Sequence, residues 1–296
     1  MLKSLLIFLK KYQIILKITV SACILTIIFR IVNVAESLTV FTRLDAGTIL
    51  AVILLTTISF VNQAGTWFLC LRLNPTHSEN FFSVCKSHTI GMSLRLFLPG
   101  GVGTFGKVLY VDQPNKKATF YSIITEKFFI IWSVCFFAFW SLTLLTPKVK
   151  ILVIFFSVIF SLLPWFIPIL LKKHLTAEII KKYNKTVSKL ITTSFFTRIF
   201  DFIQYYLVLN SLVNRHISFV QVAMFISIIS VANTIPITIN GLGLRESAAA
   251  LLLPIIGVPK EIAVGASLFI FLLNAIIPAI PGAIFLCTAK KQGSSL

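Results

Sequence analysis

Acidic residues are scarce in this chain: nine Asp plus Glu among 296 residues, against 27 Lys plus Arg and a formal net charge of +18. Charged residues of both signs reach only 12%, about half the share a soluble domain carries. No polar block is long enough to form a soluble enzyme domain. Cysteine is sparse as well: Cys23, Cys70, Cys85, Cys135 and Cys287 are scattered, with no CxxC spacing, so neither a disulfide framework nor a zinc site is indicated. The four histidines (His77, His88, His174, His216) are equally dispersed. No metal and no cofactor is expected. The motifs DxD, HxxxD and HExxH are missing, and Gly100-Gly101-Val102-Gly103 lacks the GKS/T ending of a nucleotide loop.

What fills the chain is apolar sequence. Hydrophobic residues make up 57% and mean hydropathy is +0.95. Uncharged runs recur at Ala46–Leu71, Phe128–Pro147, Ile151–Leu171, Ile217–Leu244 and Ile262–Ala289. The first is 26 residues long, and a bilayer-crossing helix needs about 20. The expected fold is therefore all-α: one integral membrane domain over residues 1–296, a polytopic bundle of about seven to nine segments. Basic residues cluster at the ends of the apolar runs, as in cytoplasmic loops facing anionic headgroups. That distribution makes membrane lipids the partner and argues against nucleic acid.

Charge also sets the expected topology. Lys3, Lys10, Lys11 and Lys17 precede a first helix at about 13–33, placing the N-terminus in the cytoplasm. Val20-Ser21-Ala22-Cys23 resembles a lipoprotein cleavage box, but the apolar run continues past it to Phe29, so a retained helix is the better reading. Residues 33–47 read as a short outer loop, and helices are expected at 48–70, 121–145, 151–170, 190–211, 217–236 and 261–286. Lys172–Lys189, with six lysines and the single acid Glu178, marks a cytoplasmic segment. Ile179, Ile180, Tyr183 and Val187 recur there at helical spacing, either as an amphipathic helix at the interface or as a solvated loop. Lys290 and Lys291 put the C-terminus in the cytoplasm too, and the cell membrane is the expected location.

Two places interrupt this pattern. Pro99, Gly100, Gly101 and Gly103 break the stretch 83–105, and Pro236, Asn240, Gly241 and Gly243 break the second half. Such interruptions in corresponding positions of two halves point to a transport site, here with half-repeats over 48–145 and 190–288 related as an inverted pair. Two kinked helices packed through glycine remain the plainer alternative. Charges crowd both places: Arg95, Lys107 and Glu126 near the first, Arg245 and Glu246 at the second, Asp201 within 190–211. Charges at membrane depth cost several kcal/mol unless they pair or meet water. Pairing of Arg245 with Glu126 or Asp201 is expected, with Lys127 snorkelling to the interface. Asn62, Gln63, Gln204 and Asn274 fit hydrogen bonding between helices. Asn233 and Asn240, flanking Pro236, carry more functional weight.

Asn240-Gly241-Leu242-Gly243-Leu244-Arg245-Glu246-Ser247-Ala248-Ala249-Ala250-Leu251 resembles the signature of the lysylphosphatidylglycerol synthase transmembrane-region family, the flippase-like domain family. Leu98-Pro99-Gly100-Gly101-Val102-Gly103 with Lys107, followed by Thr125-Glu126-Lys127-Phe128, resembles its first-half pattern. Asn240 stands where the family usually has a glycine, a mild departure because asparagine tolerates the left-handed region. The resemblance implies a membrane domain that in some members moves aminoacylated phosphatidylglycerol to the outer leaflet and in archaeal relatives is linked to dolichol-type glycan assembly. With no synthase domain after Lys291, a stand-alone flippase is expected, moving an aminoacylated phospholipid or a polyprenyl-linked saccharide. Arg245, Lys107 and Arg95 would meet the phosphate, with Glu126 and Glu246 balancing charge. A separate lipid-modifying or glycosyl transferase is the protein partner this implies. The alternatives are a membrane enzyme acting on a lipid-linked substrate and a non-transporting assembly partner in envelope biogenesis.

The cytoplasmic assignment of Lys172–Lys189 is directly testable. A single cysteine at Ser188 in a cysteine-free background is expected to resist a membrane-impermeant maleimide in intact cells and to react after permeabilisation.

Overall fold

In the computed structural model, described residues are 34–74, 80–97, 99–111, 116–145, 150–170, 177–235, 238 and 240–288, with the single residue 26. Among them there is no strand. Apart from residue 26, the first helix expected at 13–33 lies outside the described residues, as do Pro236, Lys172, Lys173, Lys290 and Lys291. Two short helices, α1 (Val34–Leu38) and α2 (Val40–Arg43), occupy the expected outer loop. Next comes α3 (Ala46–Arg72), capped by Asp45, which accepts the Thr48 N–H at 2.8 Å. Bonds from Thr48 and from the Ser211 hydroxyl pull the exposed Asp45 carboxyl down to about 2. The cap thereby also ties α3 to a distant helix end.

The first interrupted region is a hairpin. Helix α4 (Phe81–Phe97) ends before a 3-10 segment, Pro99–Tyr110, that turns back along it. The glycine spacing makes that possible: a Cβ at Gly103 would strike the Leu94 carbonyl, one at Gly106 the Leu94 side chain, and one at Gly91 the stem of Lys107. The expected broken or re-entrant element is present. α5 (Lys116–Leu145) and α6 (Lys150–Leu170) follow.

α7 (Ala177–Leu212) is one helix of 36 residues, about 54 Å long and well beyond the roughly 30 Å hydrocarbon core. Its lysine-rich first part is helical, as one of the two readings held, but it does not stand apart as an interfacial helix. Tyr183 and Val187 are buried in the protein, and the Tyr183 hydroxyl donates to the Pro164 carbonyl at 2.8 Å. The apolar stripe has a protein partner, which a membrane surface would otherwise have supplied.

α8 (Phe219–Thr234) leads into the second interruption, where Asn240, Gly241 and Gly243 all take positive φ (50°, 77° and 90°). The short α9 (Leu244–Leu252) and a 3-10 turn to Ile256 are together too short to cross a bilayer. The chain reverses at Gly257 into α10 (Lys260–Phe271), a π turn (Leu272–Ile276) and α11 (Ile277–Thr288). α3, residues 118–145 of α5, and residues 260–287 are long and apolar enough to span a membrane, and α8 and most of α6 are shorter apolar helices. Large hydrophobics face outward along α6, from Ile151 to Phe166, and on α3 at Leu50, Ile53, Leu54 and Ile58. Exposure of this kind is unfavourable in water and neutral in lipid.

Two apolar cores organise the bundle. One joins Val52, the second half of α7, α8, α9 and α10. The other joins Trp67–Leu73, α5 and the first half of α7 around Phe129, Trp132 and Tyr183. α3 and α7 run through both, and they stay polar between the cores. There the Asn62 amide donates to the Thr193 carbonyl at 2.6 Å and to Thr197 Oγ1 at 2.8 Å. Elsewhere Thr56, Gln204 and Asn274 close a three-membered ring of hydrogen bonds between α3, α7 and the π turn. These asparagines and glutamine act between helices as expected.

Gly282 of α11 lies on α4, where a Cβ would strike the Thr89 carbonyl and Ser93 Oγ. Gly282→Val is expected to destabilise the protein by about 1–3 kcal/mol, read as a lower melting temperature in detergent. Gly65→Ala, whose added carbon meets nothing within 4 Å, is expected to leave it unchanged or slightly raised.

Candidate functional site

Between the two cores lies a cavity of about 420 Å³, within the size range of small-molecule sites. α3 contributes Gln63 and Thr66, and α4 contributes His88 and Arg95. Glu126, Lys127 and Ser133 come from α5, and Ser194, Thr197 and Arg198 from α7. Ser230, Asn233 and Thr234 of α8, with Thr238, Asn240 and Gly241 of the second interruption, close the remaining side. Both broken regions thus reach one cavity, the first through Phe105 and through the α4 it folds against, the second through Thr238, Asn240 and Gly241.

The wall is hungry for hydrogen bonds. Seven buried side-chain polar atoms lack a partner among the described residues: both His88 ring nitrogens, Ser194 Oγ, Arg198 Nε, Asn233 Oδ1, Thr238 Oγ1 and Asn240 Oδ1. All seven belong to residues that line this cavity. A buried polar group without a partner costs about 1–3 kcal/mol, so their convergence on one space marks where water or a ligand satisfies them.

Each expected pairing of charges is replaced by a closer one. Lys107 is fully buried and bonds Glu126, with its ammonium 3.9 Å from the Trp67 ring centroid. Asp201 pairs with Arg198 one turn before it at 2.9 Å. Arg245 bonds its neighbour Glu246, donates through Nε to Ser267 Oγ at 2.8 Å, and lies over the Phe271 ring. The other Glu246 oxygen accepts the Gly243 N–H at 2.7 Å. Arg245 therefore meets neither Glu126 nor Asp201, because an adjacent carboxylate reaches it first.

The expected site residues divide accordingly. Arg95, Glu126, Asn233, Asn240 and Gly241 line the cavity; Lys107, Asp201, Arg245, Glu246, Gly103 and Gly243 stand behind the wall. For Pro99, Gly100 and Gly101 only the backbone, in the 3-10 segment, is described. Lys127 does not snorkel outward but faces the cavity and donates to Thr104 Oγ1 at 3.1 Å. Sequence reasoning missed His88, Ser194, Arg198 and Thr238. Arg198 had a detectable signal, since it lies three residues before Asp201 on the same face of a helix. The others had none.

Beside the cavity runs an apolar groove of about 370 Å³ lined by Ile53, Thr57, Phe60, Leu273, Ile277 and Pro278. Phe60 belongs to the groove and His88 to the cavity, and their ring centroids are 5.4 Å apart. This ring contact joins the wall of the mainly apolar groove to that of the cationic cavity.

These features define a multi-pass helical membrane protein with a polar cavity enclosed by interrupted segments. The family model for the lysylphosphatidylglycerol synthase TM region matches residues 14–282, and the chain belongs to that family. Its membership places it among membrane proteins of lipid-related processes. A comparison with curated proteins finds no match.

The Lys107–Glu126 pair is open to a double-mutant test. Lys107→Met leaves Glu126 charged and without its partner and is expected to cost about 3–5 kcal/mol in unfolding experiments. Adding Glu126→Gln is expected to recover most of that loss.

Proposed function

We propose that the cavity receives a phosphate-bearing lipid headgroup and passes it between leaflets while the hydrocarbon chains stay in the bilayer. The observation that carries this reading is the convergence of seven unpartnered polar atoms and three cations, Arg95, Lys127 and Arg198, on one space inside an apolar bundle. A phosphate held by charge-assisted hydrogen bonds satisfies the cations and the donor groups, and headgroup hydroxyls donating to Asn233 Oδ1 and Asn240 Oδ1 satisfy the amide oxygens. The adjoining groove is a path for one chain, with Phe60 and His88 at the boundary between chain and headgroup. Family membership supports a lipid as the molecule handled.

On this reading Arg95 and Lys127 contact the phosphate, while Arg245 and Glu246 hold the turn that carries Asn240 into the cavity. The protein sits in the plasma membrane with both termini towards the cytoplasm, supported by the lysines flanking the apolar runs. A separate lipid-modifying or glycosyl transferase supplies or consumes the lipid.

Proteoliposomes with reportable phosphatidylglycerol, its aminoacylated form and a polyprenyl phosphate saccharide test this. At least one lipid is expected to cross faster than in protein-free vesicles. Arg95→Gln and Lys127→Gln are each expected to slow it about tenfold or more, since a hydrogen bond to a charged group is worth about 1.5–3 kcal/mol. No movement of any of the three, with a known scramblase active in parallel, refutes the reading for these lipids.

A further inference from the structure

The charges around the cavity do not balance. Glu126 is the one carboxylate among the lining residues, and Lys107 already neutralises it from behind the wall. Asp201 is likewise taken up by Arg198. Arg95 has no hydrogen bond or ion pair among the described residues, and the one bond of Lys127 goes to a neutral hydroxyl, Thr104 Oγ1. Among the described residues two cations are left over on the wall of one cavity, in a setting where unmatched charge is costly. Asn233, Thr238, Asn240 and Ser194, uncharged residues of the same wall, each have an unpartnered oxygen. Amide and hydroxyl groups of this kind accept from, and donate to, the hydroxyls of a polyol.

From this we infer that the cavity selects a hydroxyl-bearing lipid headgroup of net negative charge and discriminates against an aminoacylated one. The inference rests on the headgroup reading above and sharpens it to a substrate class. Phosphate meets Arg95 and Lys127, and the polyol meets these amide and hydroxyl groups. A second phosphate improves the match, because a phosphomonoester brings about −1.5 to −2 at neutral pH to a wall with two cations to spare. A lysyl ester does the opposite: it adds two ammonium groups to a single phosphate and finds no free carboxylate among the described lining residues. Discrimination of this sort comes from repulsion as much as from attraction.

Three short-chain lipids on one scaffold test the idea: phosphatidylglycerophosphate, phosphatidylglycerol and lysyl-phosphatidylglycerol, titrated against the detergent-purified protein with native mass spectrometry as readout. Glycerol phosphate serves as the free, lipid-less source of the same chemistry. Affinity is expected to fall in that order, by about tenfold at each step, with glycerol phosphate weaker than either anionic lipid. Lys127→Glu is expected to narrow or reverse the gap between phosphatidylglycerol and its lysyl ester. Arg95→Gln provides an independent variant, expected to weaken the doubly phosphorylated lipid most, and melting temperatures check that both variants fold. Lysyl-phosphatidylglycerol binding as tightly as phosphatidylglycerol overturns the charge selection while leaving the headgroup reading intact. Binding of none of the lipids by a folded protein overturns both. Glycerol phosphate binding as tightly as the lipids overturns the lipid as the ligand.

Discussion

The Lys107–Glu126 pair joins the returning 3-10 segment to α5, and the cavity depends on that junction. Lys107 reaches Glu126 because Gly91 leaves room for its stem against α4 and the Trp67 ring covers its ammonium. A lone charge in this position has no water to retreat to, so the pair acts as a clamp that neither partner can leave cheaply. With α4, the 3-10 segment and α5 held together, His88, Arg95 and Lys127 are delivered to one space. Polar and charged side chains set among apolar ones in its wall distinguish that space from the two cores.

The second interruption is built on the same principle with different parts. Glu246 accepts from the Gly243 backbone, from Arg245 and from Ser267. These bonds satisfy the orphan N–H of a turn that ordinary residues resist, since Asn240, Gly241 and Gly243 are all left-handed. A side chain at Gly241 would press on Asn233 Oδ1 at 2.6 Å. Both charges of the conspicuous Arg245-Glu246 pair thus have partners within the protein. Asn240 and the end of α8, on the near side of the same turn, face the cavity.

Much of the architecture was legible beforehand. The apolar runs announced an all-α membrane bundle, and the glycine spacing announced a chain that breaks and turns back. Asn240 took the left-handed conformation its place in the motif required. The choice of ion-pair partners was not legible. Arg245 had candidates at Glu126 and Asp201, yet an adjacent carboxylate captured it. Lys127 reads as a snorkelling lysine in the sequence, but it and Glu126 face different neighbours, Thr104 and Lys107. His88 was one of four scattered histidines; nothing in its sequence context says that it lines a cavity with both of its nitrogens unpartnered.

By itself, the sequence determined the solvent and the places where the helices break. Hydropathy is a sum over local residues, and a glycine needed for close approach or positive φ acts where it stands. Only the tertiary structure decided which charges are spent in pairs and which are left to face the cavity. Burial and pairing are properties of neighbours brought together from α3, α4, α5, α7 and α8. In a low-dielectric interior, the nearest carboxylate determines whether a cation is scaffold or is available to bind.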